Sequence, residues 1–152
     1  MKPKTNKTVR TLNSLISRRN WGVETAKAQV GQARNVLESA QDALQDINER
    51  IDRLEEQIRG NSAAESILSL TSMQFQQRFL QEQGRIKQHK QMEHRNAEQT
   101  FDAATRELQH QKQELRLLEK LHERKIMIIN KESSKVMTKE MDELWLQRRT
   151  EK

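Results

Sequence analysis

An apolar stripe whose gaps alternate between three and four runs through the first half of this chain and limits what it can fold into. Valine, leucine, isoleucine or alanine recurs at Val23, Ala26, Val30, Ala33, Leu37, Ala40, Leu44, Ile47, Ile51, Leu54 and Ile58 without a miss. Traced backwards, Ile16, Leu12 and Val9 keep the same register, and Arg19 is the one interruption. A heptad repeat of this kind belongs to an α-helical coiled coil. So narrow a stripe stays wet unless a second helix lies along it, and the second half of the same chain is the expected partner.

Composition agrees with long helices. Of 152 residues, 33% are hydrophobic and 3% aromatic, too little apolar volume for a multilayered core. The 33% of charged residues, with one proline and four glycines, suits helices better than sheet, and the ordered heptads argue against disorder. There is no cysteine, hence no disulfide framework and no thiolate chemistry. The longest block of aliphatics and methionine is Ile126 to Ile129, far short of the roughly 20 residues that span a bilayer. The amino terminus is basic but lacks the apolar segment of a secretory signal. The expectation is a soluble, intracellular protein with no direct membrane insertion.

The formal net charge of +6 is unevenly spread. Residues 1 to 20 carry Lys2, Lys4, Lys7, Arg10, Arg18 and Arg19 and no acid, whereas residues 21 to 60 hold five bases against eight acids. A basic terminus of this sort is either a solvated end or a contact surface for an acidic partner.

Taken in order, a first helix is expected from Thr5 to Arg59, where Gly60, Asn61 and Ser62 form the strongest stop signal in the chain. Residues 60 to 72 then form a tip, with a short helix over Ala63 to Leu70 and a cap at Thr71 or Ser72. The tip's Ile67, Leu68, Leu70 and Met73, with Phe75, Phe79 and Leu80 beyond, exceed what a two-helix seam buries. They either fold over the hairpin end or form a partner site. A second helix is expected from Met73 to Arg149. Its apolar signal is weak between Gln81 and Gln99 and resumes at Ala97, Phe101, Ala104, Leu108, Gln111, Leu115 and Leu118. After Leu118 the spacing slips by an inserted four through His122 to Ile126 and Ile129, the signature of a stutter.

Folded back as an antiparallel hairpin, facing residue numbers total 133 or 134, so that Ala33 meets Phe101, Val30 meets Ala104, Ala26 meets Leu108 and Ile16 meets Leu118. Small then faces large, as close packing requires. On this register positions 127 to 149 have no partner in the chain. They carry Met127, Ile128, Ile129, Val136, Met137, Met141, Leu144, Trp145 and Leu146, an apolar overhang that needs a cover, either a second copy or another protein. Trp21 points away from the second helix at the same end.

Catalytic chemistry is not legible. His89, His94, His110 and His122 are never three or four apart, so no helical face offers two metal ligands, and there is no HExxH or glycine-rich phosphate loop. Carboxylates are plentiful, yet a two-helix coiled coil has no cavity in which to shift their pKa or exclude water. No enzyme activity, metal or cofactor is expected. Nucleic-acid binding is not expected either, because bases after residue 20 are interleaved with acids rather than gathered into a basic region.

The run Leu118-Glu119-Lys120-Leu121-His122-Glu123-Arg124, followed by Lys139-Glu140-Met141-Asp142-Glu143-Leu144, resembles the closing signature of the FliJ/YscO family. These are the small central-stalk proteins of the type III export ATPase in bacterial flagella and injectisomes. Gln74-Phe75-Gln76-Gln77-Arg78-Phe79, leading to Ile86 and Gln88-His89-Lys90, is similar to the start of that family's second helix. One departure is the block Ile126 to Ile129, heavier than the family pattern. The resemblance implies a coiled-coil hairpin like that of the rotary ATPase gamma subunit. It also implies a cytoplasmic place beside the inner-membrane secretion apparatus, and as partners the hexameric secretion ATPase, the cytoplasmic domain of a membrane export-gate protein, and secretion chaperones.

By position, Leu121, Arg124, Met141, Asp142 and Leu144 carry over from the family pattern as ring contacts. Arg18, Arg19, Trp21 and Trp145 join them from the reading of the overhang and the basic terminus. Met73, Phe75, Phe79 and Leu80 are the expected gate contacts. The competing expectation is a structural, scaffolding coiled coil that self-associates through its overhang.

Overall fold

The structure, a computed structural model, describes residues 2–63 and 70–150, with side chains over 7–61 and 70–149. All described residues are helical: α1 spans Lys2–Ala63 and α2 spans Leu70–Thr150, and the two pack against each other as a helical hairpin. Helix α1 starts three residues before Thr5, since Pro3 falls in the first turn, where a helix requires no N–H donor. It also runs through Gly60, Asn61 and Ser62 rather than stopping at Arg59. A glycine permits a left-handed stop without compelling one, and about 1 kcal/mol is all it costs inside a helix. Helix α2 begins at Leu70, so Thr71 and Ser72 lie within it instead of capping it. The short helix expected over Ala63 to Leu70, with Ile67 and Leu68, falls on residues 64–69, outside those described.

Packing between the helices divides into two units. Unit 1 joins the chain up to Thr25 to the chain from Leu108 onward, and unit 2 is Ala26–Glu107. In unit 1, Leu12 and Val23 are buried and Val9, Ile16 and Arg19 half-buried, which is the expected seam of α1. Across it lie Leu108, Gln111, Leu115, Leu118 and His122, all half-buried. The direction is antiparallel: Arg19 pairs with Glu114, and Gly22 lies against Gln111, each pair of numbers totalling 133.

Arg19 therefore has a structural explanation. Its Nη1 reaches Glu114 Oε2 at 2.5 Å and donates to Gln111 Oε1 at 3.1 Å, so the one polar interruption of the stripe is answered from the facing helix. Gly22 supplies the space, because a Cβ there would stand 3.2 Å from Gln111 Oε1. A polar group at a seam position specifies register at some cost in stability.

In unit 2, Ala26, Ala33 and Ile47 are buried and Val30, Leu37, Ala40, Leu44, Ile51, Leu54 and Ile58 half-buried. Phe101 and Ala104 are half-buried too, in keeping with the expected partners Ala33 and Val30. The facing line of α2 does not lapse where its apolar signal does. Gln76, Leu80, Gln83, Lys87, Lys90, His94 and Ala97 keep gaps of four and three, and all are half-buried except Ala97, which is buried. Half-burial at these positions is what long polar side chains reach when their methylene stems cover an apolar stripe and their heads stay at the surface. Among the described residues no side chain falls below 2% exposure, as expected where two helices have only each other to cover them.

Two stability measurements follow. Glu114→Ala leaves a half-buried guanidinium with only Gln111, and the unfolding free energy read from urea titration at 222 nm should fall by about 1 kcal/mol. Arg19→Leu combined with Glu114→Leu should instead raise it, and a fall would contradict the assignment of Arg19 to register rather than to stability. His122 Nε2 is buried without a hydrogen-bond partner, so His122→Leu should stabilise the chain by roughly 1 kcal/mol.

Candidate functional site

The covered line of α2 follows the expected slip and then ends. Leu118, His122 and Ile129 are half-buried, and Ile126, at 37% exposure, lies on the margin. From Asn130 to Arg149 every side chain is exposed. The expected overhang thus begins three residues later than residue 127, because Ile129 still finds cover. Its large apolar groups are open to solvent: Val136, Met137, Leu144 and Leu146, with Met141 at 70% and Trp145 at 68% exposure. The guanidinium of Arg149 stands 5.6 Å from the centre of the Trp145 ring, a cation–π distance that leaves one face of the indole open. An 81-residue helix carries this tail out because its last 20 residues have no breaker, no proline and no glycine.

Charge separates the units as well. Residues 1–25 hold six bases and one acid and residues 108–152 eleven and eight, which gives unit 1 a formal charge of +8. The chain total of +6 leaves unit 2 at −2. A surface that combines exposed methionine and tryptophan with an excess of lysine and arginine suits an acidic protein partner.

The expected ring contacts do not all stand alike. Arg18, Leu121, Arg124, Met141, Asp142, Leu144 and Trp145 are exposed, and Trp21 is 73% exposed on the side of α1 away from the seam. Arg19 faces α2 and is engaged by Glu114 and Gln111. All nine lie in unit 1. Among the gate contacts, Met73, Phe75 and Phe79 are exposed, Phe75 at 72%, whereas Leu80 is half-buried on the seam. These four lie in unit 2. The stripe argument explains both exceptions: Arg19 and Leu80 occupy seam positions.

Sequence reasoning did not find an open groove in unit 2. It has a volume of about 1140 Å³, a floor that includes Ala33, Ala40, Ala97 and Ala104, and the exposed Val36 at its edge. A heptad reading attends to the seam and passes over the positions beside it. Lys90 and Glu93 stand on its rim, and the Lys90 ammonium, 2.8 Å from Glu93 Oε2, holds that carboxyl below its ordinary pKa by hydrogen bonding. Among the described residues no group of three or more metal-ligating side chains comes together, and no helix is long and apolar enough to cross a membrane.

The family model of the flagellar FliJ protein matches residues 8–151. The chain belongs to the FliJ family. The match covers both helices almost whole, from the second turn of α1 to beyond the end of α2. No curated protein and no solved structure matches the chain. Membership makes this FliJ-family chain a component of the flagellar, type III class of export machinery, without separating a flagellar branch from an injectisome one.

The exposure of the tail can be checked without a partner. Ending the chain after Asn130 should leave the unfolding midpoint of the remainder within about 1 °C and remove helical signal only in proportion to length, since no covered side chain is lost. A drop of several degrees would show that the tail packs on its own chain.

Proposed function

We propose that this FliJ-family hairpin is a non-enzymatic coupling stalk: its exposed carboxy-terminal tail seats in the central hole of a hexameric secretion ATPase, and Phe75 and Phe79 touch the export gate. The observation that carries the reading is the uncovered apolar tail from Asn130 to Arg149, continuous with a packed helix and matched by the family to residue 151. The packed stretch anchors one end of the tail and fixes the direction in which it leaves the hairpin, so its ordering on a preformed ring starts from a held end.

The residues divide by role. Met141, Leu144 and Trp145 supply apolar anchors, Trp145 the largest of them. Arg18, Arg124 and the lysines of unit 1 steer approach to an acidic collar, with Leu121, Asp142 and Trp21 completing the contact. Arg19 fixes the register of α1 on α2 and acts on the ring only through that. Met73, Phe75 and Phe79 offer a separate apolar contact for the cytoplasmic domain of the gate protein, and Leu80 holds their helix to α1. Secretion chaperones are further partners of the same hairpin. The protein would work beside the inner-membrane export apparatus on its cytoplasmic face.

Two sets of variants test this with purified ATPase and a secretion assay. Leu144→Asp with Trp145→Ala should weaken ring binding by about tenfold or more and abolish stimulation of ATP hydrolysis, with circular dichroism unchanged. Arg18→Glu should act mainly on association rate and lose its effect at high salt. Phe75→Ser with Phe79→Ser should spare ring binding and reduce secretion. Normal ATPase stimulation and secretion in the tail variants would remove the basis of the assignment.

A further inference from the structure

The two flanks of the unit 1 seam are unlike. One carries Arg10, Asn13 and Ser17 of α1 and Arg116, Glu119 and Glu123 of α2, all polar and exposed. On the other, three leucines are open to water: Leu15 at 42%, Leu117 at 67% and Leu121 at 45% exposure. The cluster around Arg19 shows that these three share a side. Gly22 and Glu114 meet there about the Arg19 guanidinium and the Gln111 amide. Leu15 stands one heptad before Gly22 and Leu121 one heptad after Glu114, so each keeps to the same line of its helix, and Leu117 is one turn before Leu121. With facing numbers totalling 133, Leu15 is level with residue 118, between Leu117 and Leu121. We infer that this face binds an amphipathic helix of another protein, with apolar side chains on the three leucines and carboxylates on Arg18 and Arg124.

Charge selects the partner. Arg18 lies one turn beyond Leu15, and Arg124 and Lys125 lie one turn beyond Leu121. All three are exposed, and none pairs with a carboxylate among the described residues. The acid between them, Glu114, is taken by Arg19, so the free charge of the face is positive. A second copy turned onto this face would set the same bases against each other, and the tail over residues 130–149 holds five bases to four acids. Neither complements it, whereas carboxylates do. Geometry selects a helix. Every described residue is helical and spends its main-chain groups within its own helix, so an extended segment would find no sheet edge to pair with. A helix brings its hydrogen bonds with it. Ile128, one heptad beyond Leu121 and exposed as well, lengthens the apolar line to about 16 Å from Leu117, three turns of an occupant. So short a contact falls below the roughly 1,200 Å² of a standard interface, which sets the dissociation constant on the order of 10–100 µM. Arg18, Leu121 and Arg124 also belong to the proposed ring contact; the inference deepens that contact and rests on it only for whose helix is bound.

Fluorescence anisotropy of two labelled synthetic peptides with the full chain tests the inference. Each peptide is about 18 residues long, five turns, with leucine at gaps of three and four; its flanking positions are glutamate in one and lysine in the other. The glutamate peptide should bind with a dissociation constant on the order of 10–100 µM, and the lysine peptide at least about tenfold more weakly. Leu117→Ser with Leu121→Ser should weaken the glutamate peptide by about tenfold and leave circular dichroism unchanged, since both side chains are exposed. Arg18→Glu with Arg124→Glu should turn the preference toward the lysine peptide. Arg10→Glu with Arg116→Glu, the same change of net charge on the other flank, should leave the preference as it was. No binding of the glutamate peptide by about 1 mM chain overturns the proposal. Equal loss from the two pairs of arginine reversals overturns it too, because attraction would then be to the charge of the chain as a whole. Binding kept in the leucine variant but lost in Leu144→Asp with Trp145→Ala would put the peptide on the tail, a third contrary result. The ring reading fails separately: tail variants with normal ATPase stimulation remove it and leave the peptide result standing.

Discussion

Everything in this molecule depends on one narrow apolar stripe of α1 finding cover along α2. In each unit the positions that follow gaps of three and four are the ones withdrawn from water, and nearly everything beside them is exposed. Two helices cannot bury a residue completely, so the hairpin is stabilised by many half-covered side chains rather than by a few deeply buried ones. The arrangement also decides where function can sit. Among the described residues no side chain is fully enclosed, and what the hairpin can offer a partner is what the stripe leaves uncovered.

Register is the second constraint, because a seam of similar aliphatics would tolerate slippage. Arg19, Glu114, Gln111 and Gly22 resist it together: a cation at a seam position, an acid and an amide to receive it, and a missing side chain to make room. A shift of one heptad one way sets Leu121 where Glu114 stood and leaves the guanidinium half-buried with no carboxylate, and the other way it offers Glu107 but sets Ala104 where Gln111 stood. The same register fixes where cover ends. With α1 beginning at Lys2, α2 loses its partner after Ile129, and the tail beyond is exposed as a consequence of unequal helix lengths.

Most of this was legible in the residues. The stripe from Val9 to Ile58, the antiparallel register near 133, the slip after Leu118 and the uncovered tail all follow from spacing alone. Four things did not. Gly60 reads as a stop, but its cost is small enough for α1 to continue to Ala63. The line Gln83, Lys87, Lys90 and His94 is half-buried, and a search for apolar periodicity misses covered positions that hold polar residues. Arg19 looks like a basic contact in a basic terminus until Glu114 is placed opposite it, which needs the register first. The groove beside Val36 lies off the seam, where a heptad gives no reason to look.

Membership of the FliJ family and the uncovered tail meet in one claim: the tail is a helix that another protein completes. Hydrogen exchange on the amides of α2, with the chain alone and then with the hexameric ATPase, tests it most directly. An isolated helix of about 20 residues is marginal, so in the free chain amides beyond Asn130 should exchange at least about a hundredfold faster than those of Phe101 to Leu118. They should slow on addition of the ring while unit 2 stays unchanged. A tail already protected in the free chain, or one that the ring leaves as fast as before, would contradict the account.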